Sequence, residues 1–365
     1  MRPIWRIEAD GADITRRLAA SLEQLSVTDA AGVTADQCEI TIEDAAEDLD
    51  PPRYGVELAI FMGYAETNLA LMGRFQVTEA EVSGPPTRWR IRGASADFRE
   101  GLKVAKSGSW SSTTLGNLVR DVAERNGLTA AVAPHLADMP LGQVHQSEES
   151  DIHLLTRLAQ KHGAIVKLAD GKIVVTERAR AMSASGAPLE PIDIRQTERL
   201  RWSATVADRP AVGAVRARWH DVAAATRDAV TVRLADAPKE APVHELRDIF
   251  ADRTQAAAAA KAEVERLMRL SARFRLSVVG DPRIMAETPF RLLGAVSSAL
   301  VDTWIATRVT HTLTGAGYQT DIEAERPAAV EARRRAEQDR DAPPAGKLKG
   351  AALAEPPPDV SGVFT

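Results

Sequence analysis

The chain has 365 residues, of which 44% are hydrophobic and 27% charged, so it can fill the cores of two to three ordinary domains. Its net charge of −5 argues against a phosphate-binding surface, which needs clustered Lys and Arg. The single cysteine, Cys38, excludes an internal disulfide and a cysteine-based metal cluster, and its alternating surroundings predict a small buried side chain. We expect no membrane span and no signal peptide, because no long apolar run occurs.

The first hundred residues carry a β pattern. Residues 56–60 and 89–92 alternate apolar and polar side chains, as half-buried strands do. Turn-forming residues separate the strands at 50–52 and 83–86. Residues 1–100 are therefore predicted to form a small antiparallel barrel or sandwich.

In residues 101–182 the spacing of apolar side chains changes from the strand period to the helix period in places, which predicts an α+β insert. One helix begins near Leu115, with Ser112 or Thr113 as its N-cap, and stops at residues 126–127. A second helix follows Ser150 as N-cap and ends at Gly163. Residues 164–168 and 172–176 then predict a β-hairpin.

Strands resume after a linker predicted at 183–191. Alternation predicts strands at 214–219, 229–234, 274–279, 304–313 and 318–324, so 183–325 is taken as a second β-barrel domain. One helix is predicted at about 253–270, with Asp252 and Gln255 as a capping pair. Residues 326–365 form a charged, Pro-rich C-terminal tail.

Two of the predicted hairpins resemble each other. Phe75 and Trp89 have the same spacing as Trp304 and Tyr318, and the threonines at 78 and 307 also align. This match suggests two copies of one β-domain, although two unrelated hairpins can also look alike.

Several longer stretches resemble the phage late control protein D family, the tail hub proteins of contractile phages. The same fold forms the N-terminal part of the type VI secretion spike protein and the hub of T-even phage baseplates. The stretches that carry the resemblance are SWSSTTLG at 109–116, AERNGL at 123–128, QSEESDIHLLTRLA at 146–159, VRARWHD at 215–221, WIATRVTHTL at 304–313 and GYQTDIE at 317–323.

This resemblance implies a mainly β chain with an α+β insert and two similar small antiparallel β-barrels. It further implies a homotrimer whose barrels form a pseudo-six-fold ring, which adapts the six-fold tail tube to the three-fold central spike. The implied partners are other copies of the chain, the tail tube protein, the spike protein and other baseplate proteins. The protein would be located in the tail baseplate of the virion, which is assembled in the host bacterial cytoplasm.

The implied function is structural, so no enzyme activity, cofactor or metal is expected. DNA would pass through the ring's channel without specific nucleic-acid binding. We expect nine side chains to stabilise the two barrels and their interfaces. In the first barrel these are Phe75, Val77, Trp89 and Ile91, and in the second barrel they are Trp304, Val309, His311, Tyr318 and Ile322.

Catalytic and metal-binding interpretations are the alternatives. His145 and His153 flank an acidic cluster at 148–151, but their spacing matches no metal motif, and acidic residues at a helix start offset the helix dipole. The rival functions are a tail-associated peptidoglycan hydrolase and a type VI-like secretion spike component.

The C-terminal segment suggests a docking role. After the prolines at 343–358, residues 359–365 regain the apolar side chains Val360, Val363 and Phe364. The segment is either a frayed end or a peptide that docks on a neighbouring subunit or the spike by adding a strand or filling a pocket.

Overall fold

The computed structural model of the chain describes residues 1–32, 35–45, 53–95, 100–169, 171–178, 189–197, 200–206, 212–221, 226–234, 237, 240–270, 272–294 and 303–326. Within Met1–Ala328 the chain forms one compact unit. The predicted turn at 50–52, most of the predicted linker at 183–191 and the tail residues Val360, Val363 and Phe364 lie outside the described residues.

The first β region builds a core around alternating apolar side chains. Ile7, Ile40 and Ile60 come from three different strands and are fully or almost fully buried in it. Its elements are β1 Pro3–Ala9, β2 Ala12–Asp13, α1 Thr15–Leu18, β3 Leu22–Ala30, β4 Gln37–Glu43, β5 Glu57–Tyr64, β6 Asn68–Ser83 and β7 Arg88–Ser95.

The insert packs two amphipathic helices on a three-stranded sheet in the order β10-β14-β13. Its elements are α2 Glu100–Lys103, β8 Ala105–Trp110, β9 Thr113–Thr114, α3 Leu115–Arg125, β10 Thr129–Val132, α4 Pro134–Ala137, β11 Pro140–Leu141, β12 Val144–Ser150, α5 Asp151–Lys161, β13 Ala164–Ala169 and β14 Lys172–Glu177.

The helix caps of the insert follow the sequence with one correction. Ser150 caps α5 by accepting a hydrogen bond from the backbone N–H of His153 at 3.3 Å. The cap of α3 is Thr114, which accepts from Asn117 N–H at 3.2 Å, and not Ser112 or Thr113 as predicted. Ser112 has a positive φ of 50°, outside the extended range usual for an N-cap, whereas Thr114 is extended with φ −103° and ψ 161° and directly precedes the helix.

The second β region contains two sheets rather than one. Its elements are β15 Ile192–Arg195, β16 Arg201–Val206, β17 Ala214–Asp221, β18 Thr226–Arg233, β19 Val243–Phe250, α6 Arg253–Leu270, β20 Ala272–Val279, β21 Pro289–Leu293, β22 Thr303–Thr314 and β23 Gly317–Glu325. The sequence placed 214–219 and 229–234 in the second barrel, but β17 and β18 form a separate sheet with β19, and α6 packs on it.

The remaining strands of both β regions join into one 13-stranded sheet, in the order β16-β20-β23-β22-β3-β4-β7-β6-β5-β1-β2, with β21 and β15 branching from β22. The prediction of a mainly β chain is confirmed. The described strands leave this sheet open, without closure into a barrel.

Candidate assembly interface

The two similar hairpins share a β-bulge at the same position. In the hairpin of β6 and β7 the register shifts between Val77 and Glu79, and in that of β22 and β23 it shifts between Ala306 and Arg308. The extra residue is Thr78 in one case and Thr307 in the other. Each threonine hydroxyl donates to a carbonyl of the facing strand, at 3.3 Å to Arg92 and 3.1 Å to Glu323. A matched bulge with a matched hydrogen bond supports a duplication, because bulges are retained as specific features of a fold.

The same equivalence extends across the neighbouring strands. Cys38 of β4 pairs with Gly93 of β7, and Phe274 of β20 pairs with Ala324 of β23. One strand further out, β3 and β16 occupy the same place beside β4 and β20. Their sequences correspond, with LSVT at 25–28 and WSAT at 202–205. We therefore regard β3 and β16 as equivalent strands of two related β-domains.

An internal junction joins the two domains edge to edge. The second half of β22 pairs antiparallel with β3, with Thr310 opposite Thr28 and His311 opposite Val27. The hydroxyl oxygens of Thr28 and Thr310 lie 3.1 Å apart, within hydrogen-bond distance. This pairing uses the free edge of one domain to complete the sheet of the other.

Each of the two β-domains has an outer strand edge that is equivalent to one half of the internal junction, and the described residues place no partner strand against it. Among the described strands, β16 pairs only with β20, and residues 79–83 of β6 have β7 on one side and no strand on the other. Val82 is 55% exposed, although its equivalent at the junction, His311, is fully buried. Trp202 is 38% exposed, whereas its equivalent Leu25 is fully buried. The chain thus presents two edges that match the halves of its own internal junction.

A buried ion pair connects the internal junction with the insert. The Asp29 carboxylate, on β3, is almost fully buried and lies 2.5 Å from the Lys167 ammonium of β13. Its other oxygen accepts from the backbone N–H of Ala286 at 2.8 Å. Burial is the largest single effect and would raise the pKa of Asp29, but the charge and hydrogen bond of Lys167, together with the Ala286 N–H, hold that pKa below the ordinary value. One carboxylate therefore links both β-domains and the insert.

A second carboxylate beside this pair, that of Asp36, changes its protonation state near neutral pH. Asp36 lies 3.9 Å from Lys167 and accepts from Ala30 N–H at 3.2 Å. Burial, followed by the negative charge of Asp29, raises the pKa of Asp36 to about 7. The folded chain therefore holds a proton that the unfolded chain releases at lower pH.

We predict that Asp36→Asn stabilises the fold at alkaline pH. Because the folded pKa of Asp36 is raised, its favourable contribution exists below its ordinary pKa and is lost as pH rises through about 7. The neutral amide avoids this loss, so the advantage of the variant over the wild type should grow by about 1–3 kcal/mol between pH 5 and pH 8. Urea unfolding at both pH values measures this, with Asp138→Asn as an exposed control. An equal effect at both pH values would refute the prediction.

A buried polar network lies on the same face of the junction as Asp29, because His311 faces Val27, two residues before Asp29 on β3. The Nε2–H of His311 donates to the Ile284 carbonyl at 2.9 Å, so Nδ1 accepts from the Tyr318 hydroxyl at 2.8 Å. Burial lowers the pKa of His311, which keeps the ring neutral. The Tyr318 ring packs at a tilt of 40° against that of Tyr64 of the first domain, whose hydroxyl donates to the Gly280 carbonyl at 3.0 Å. A Cβ on Gly280 would lie 2.2 Å from the Tyr318 ring, so only glycine fits there.

The predicted interface side chains occupy the cores and this junction. Trp89 and Ile91 are half-buried, and the other seven are buried. Tyr318 belongs to the second β-domain but packs into the core of the first. The first core holds Phe75, Val77, Trp89 and Ile91, and the second holds Trp304, Val309 and Ile322.

The acidic cluster of the insert serves a buried network rather than the helix start alone. Asp151 is fully buried, and its carboxylate binds Lys106, Arg125, Asn126 and Gln146. Glu149 accepts two hydrogen bonds from Arg157, at 3.0 and 2.7 Å. Within the described part of the chain, no group of three or more His, Cys, Asp or Glu is arranged to hold a metal ion. None of the described helices has the length and apolar character needed to cross a membrane.

A family comparison decides the identity of the fold. The model of the phage tail baseplate hub family matches residues 66–317. The chain belongs to the phage tail baseplate hub family. It is 32% identical to the probable baseplate hub protein of Escherichia phage P2, over 89% of this chain and 93% of that protein. The family resemblance found in the sequence is thereby confirmed. A baseplate hub is a component of the virion tail.

Solved structures share the fold at low identity. The 43 kDa tail protein of prophage MuSo2 from Shewanella oneidensis superposes with a TM-score of 0.70 at 14% identity, covering 90% of this chain and 99% of that one. The E. coli c3393 protein, a component of the type VI secretion system, superposes with a TM-score of 0.53 at 14% identity, covering 84% and 73%. The hub fold is thus shared with a secretion-system component.

Proposed function

We propose that this hub assembles as a homotrimer and adapts the six-fold tube of a contractile tail to the three-fold central spike. The observation that carries the proposal is the match between the internal junction and the two open edges. Two equivalent β-domains per chain make a ring of six domains from three chains. Head-to-tail contacts of this kind close into a ring when the rotation per subunit permits.

The register of the contact between chains follows from the internal junction. Thr310 and Thr28 are opposite each other inside the chain, and their equivalents are Glu81 and Thr205. We therefore expect Glu81 of one chain to pair with Thr205 of the next. The same register places Val82 opposite Ala204 and brings Trp202 into the contact. Apolar surface exposed in the single chain would then be buried.

Charge supports the same contact. Glu79 and Glu81 are exposed along the β6 edge, where they pair with Arg92 and Arg90 of β7. Exposed arginines lie on β16 and its neighbour β20: Arg201, Arg273 and Arg275, the last of which pairs with Glu323. The pairing registers place these carboxylates and guanidinium groups on the same face of the extended sheet. Opposite charges at two edges favour their correct association over association of like edges.

Mass photometry of the purified chain, alone and with the spike protein, tests the trimer. We expect a species of three chains, each of 39.3 kDa. A strictly monomeric chain in both conditions, or a stable dimer, would contradict the proposal.

The proposed hub acts through geometry, without turnover. The rivals are a peptidoglycan hydrolase and a secretion spike component, and the family match favours a tail hub that contacts the tube protein, the spike and other baseplate proteins. The central channel would let DNA pass, in keeping with a net charge of −5 per chain. A zymogram separates hub from hydrolase, because a cleared peptidoglycan band would establish enzymatic activity.

A further inference from the structure

A cationic cleft lies between the insert and the small sheet that carries α6. Its volume is about 760 Å³, within the range of protein ligand sites. Three carboxylates line it, those of Asp248, Glu263 and Glu325, against six cationic side chains: Arg157, Lys161, Arg178, Arg247, Arg266 and Arg269. Lys161 pairs with Asp248, Arg266 with Glu263 and Arg157 with Glu149 outside the lining, so the remaining positive charge is that of Arg247 and of Arg178 and Arg269, which contact Glu325.

One of these cations lacks a full set of partners. Arg269 is only 5% exposed, and its Nη1 has no hydrogen-bond partner among the described residues. Its Nε lies 3.6 Å from the Glu325 carboxylate, which also binds Arg178 at 3.0 Å. Two guanidinium groups therefore share the Glu325 carboxylate, while Glu265 and Glu287 also favour the charged form of Arg269 electrostatically. A buried charge with an unsatisfied donor is costly, so an additional anion would be stabilised there.

The walls of the cleft include two free strand edges. In the described sheets, β13 is the last strand of the insert sheet and β19 is the last strand of the small sheet. Three consecutive residues of each strand, 164–166 and 246–248, line the cleft. Because successive side chains of a strand point to opposite faces, consecutive lining residues indicate contact with the strand's edge. Unpaired backbone groups at such edges can bind an extended peptide.

We propose that this cleft binds an extended, acidic peptide segment of a partner protein by strand addition at β13 or β19. The backbone edge supplies hydrogen bonds, the half-buried Leu246 and Phe250 supply apolar contacts, and Arg269 with the rim arginines binds the acidic side chains. The proposal does not depend on ring formation, because every group named here lies within one chain.

The test is fluorescence anisotropy with a short labelled peptide that alternates glutamate with valine, and with its glutamine analogue. We expect saturable, salt-sensitive binding of the acidic peptide and at least about tenfold weaker binding of the analogue, because the glutamine side chains cannot form charge-assisted hydrogen bonds through a carboxylate. The single variants Arg269→Met and Arg266→Glu should each weaken binding of the acidic peptide by a similar factor. Arg216→Glu, on the outer face of β17, is the matched control and should bind like the wild type.

Hydrogen exchange provides the second readout. The bound acidic peptide should protect backbone amides of β13 or β19. Equal binding of the glutamine analogue, or wild-type affinity in both the Arg269 and Arg266 variants, would overturn the proposal. Strand addition would also be wrong if inorganic phosphate alone displaced the peptide and no amide of either strand gained protection.

Discussion

Replacing Asp29 with alanine should cost the fold about 3–5 kcal/mol, the loss expected when one partner of a buried ion pair is removed. The substitution leaves the Lys167 ammonium without its closest carboxylate and the Ala286 N–H without its acceptor. Without the negative charge of Asp29, the pKa of Asp36 falls and its carboxylate ionises more readily, but it lies 3.9 Å from Lys167 and bonds to Ala30 rather than Ala286, so it compensates only in part. Urea unfolding of the purified chain measures the difference in free energy.

Two further variants identify the source of that loss. Asp29→Asn keeps an acceptor for Ala286 N–H but loses the charge, so its cost should be smaller than that of the alanine variant. Asp193→Ala removes a carboxylate from an exposed ion pair of similar length, 2.7 Å to Arg291, and should cost less than about 1 kcal/mol. If the Asp29 and Asp193 alanine variants lose equal stability, the buried pair does not hold the junction.

Replacing Val82 with aspartate should abolish the trimer while leaving the single chain folded. Val82 is 55% exposed in the chain, so the new carboxylate stays solvated in the monomer. In the trimer it would occupy the position equivalent to the fully buried His311, where an unpaired charge is strongly unfavourable. Mass photometry should show monomers, with a circular dichroism spectrum like that of the wild type.

The chain offers a closely matched control. Val104 is 56% exposed but lies between α2 and β8, away from both open edges. Val104→Asp should therefore trimerise like the wild type. The edge model fails if the Val82 variant forms trimers at the wild-type concentration dependence, or if both variants lose them equally.

The likeness of the two hairpins could be predicted in part from local spacing. The alignment of Thr78 with Thr307 corresponds to the two bulged residues, but the alignment of Trp89 with Tyr318 is wrong in register, because Trp89 faces Val82 whereas Tyr318 faces Leu313. The helix predicted at 253–270 is α6, since its capping pair and apolar face are local signals. Family membership was also within reach of the sequence, because long motifs carry it.

Other features depended on contacts distant in the chain. Asp29 and Lys167 are 138 residues apart, and no local pattern indicates that they pair. Alternation predicted β17 and β18 as strands but could not assign their sheet, because the period of a strand does not specify its neighbour. Val82 and Trp202 were missed for the same reason. The match between LSVT at 25–28 and WSAT at 202–205 was the one available signal.

Cross-linking of Glu81→Cys with Thr205→Cys in one chain tests the central claim most directly. The two positions are opposite each other in the proposed contact, with Cβ atoms about 5 Å apart. Within one chain they are separated by the six strands between β16 and β6. The native Cys38 does not interfere, because burial raises the pKa of its thiol to about 12.

A short bis-maleimide should convert the double variant into covalent dimers and closed trimers on a denaturing gel, while each single variant stays monomeric. The Val104→Cys, Thr205→Cys pair is the control for random collision and should give no ladder. If the double variant forms trimers by mass photometry yet yields no more cross-linked product than this control, the two open edges do not meet and the account of the ring is wrong.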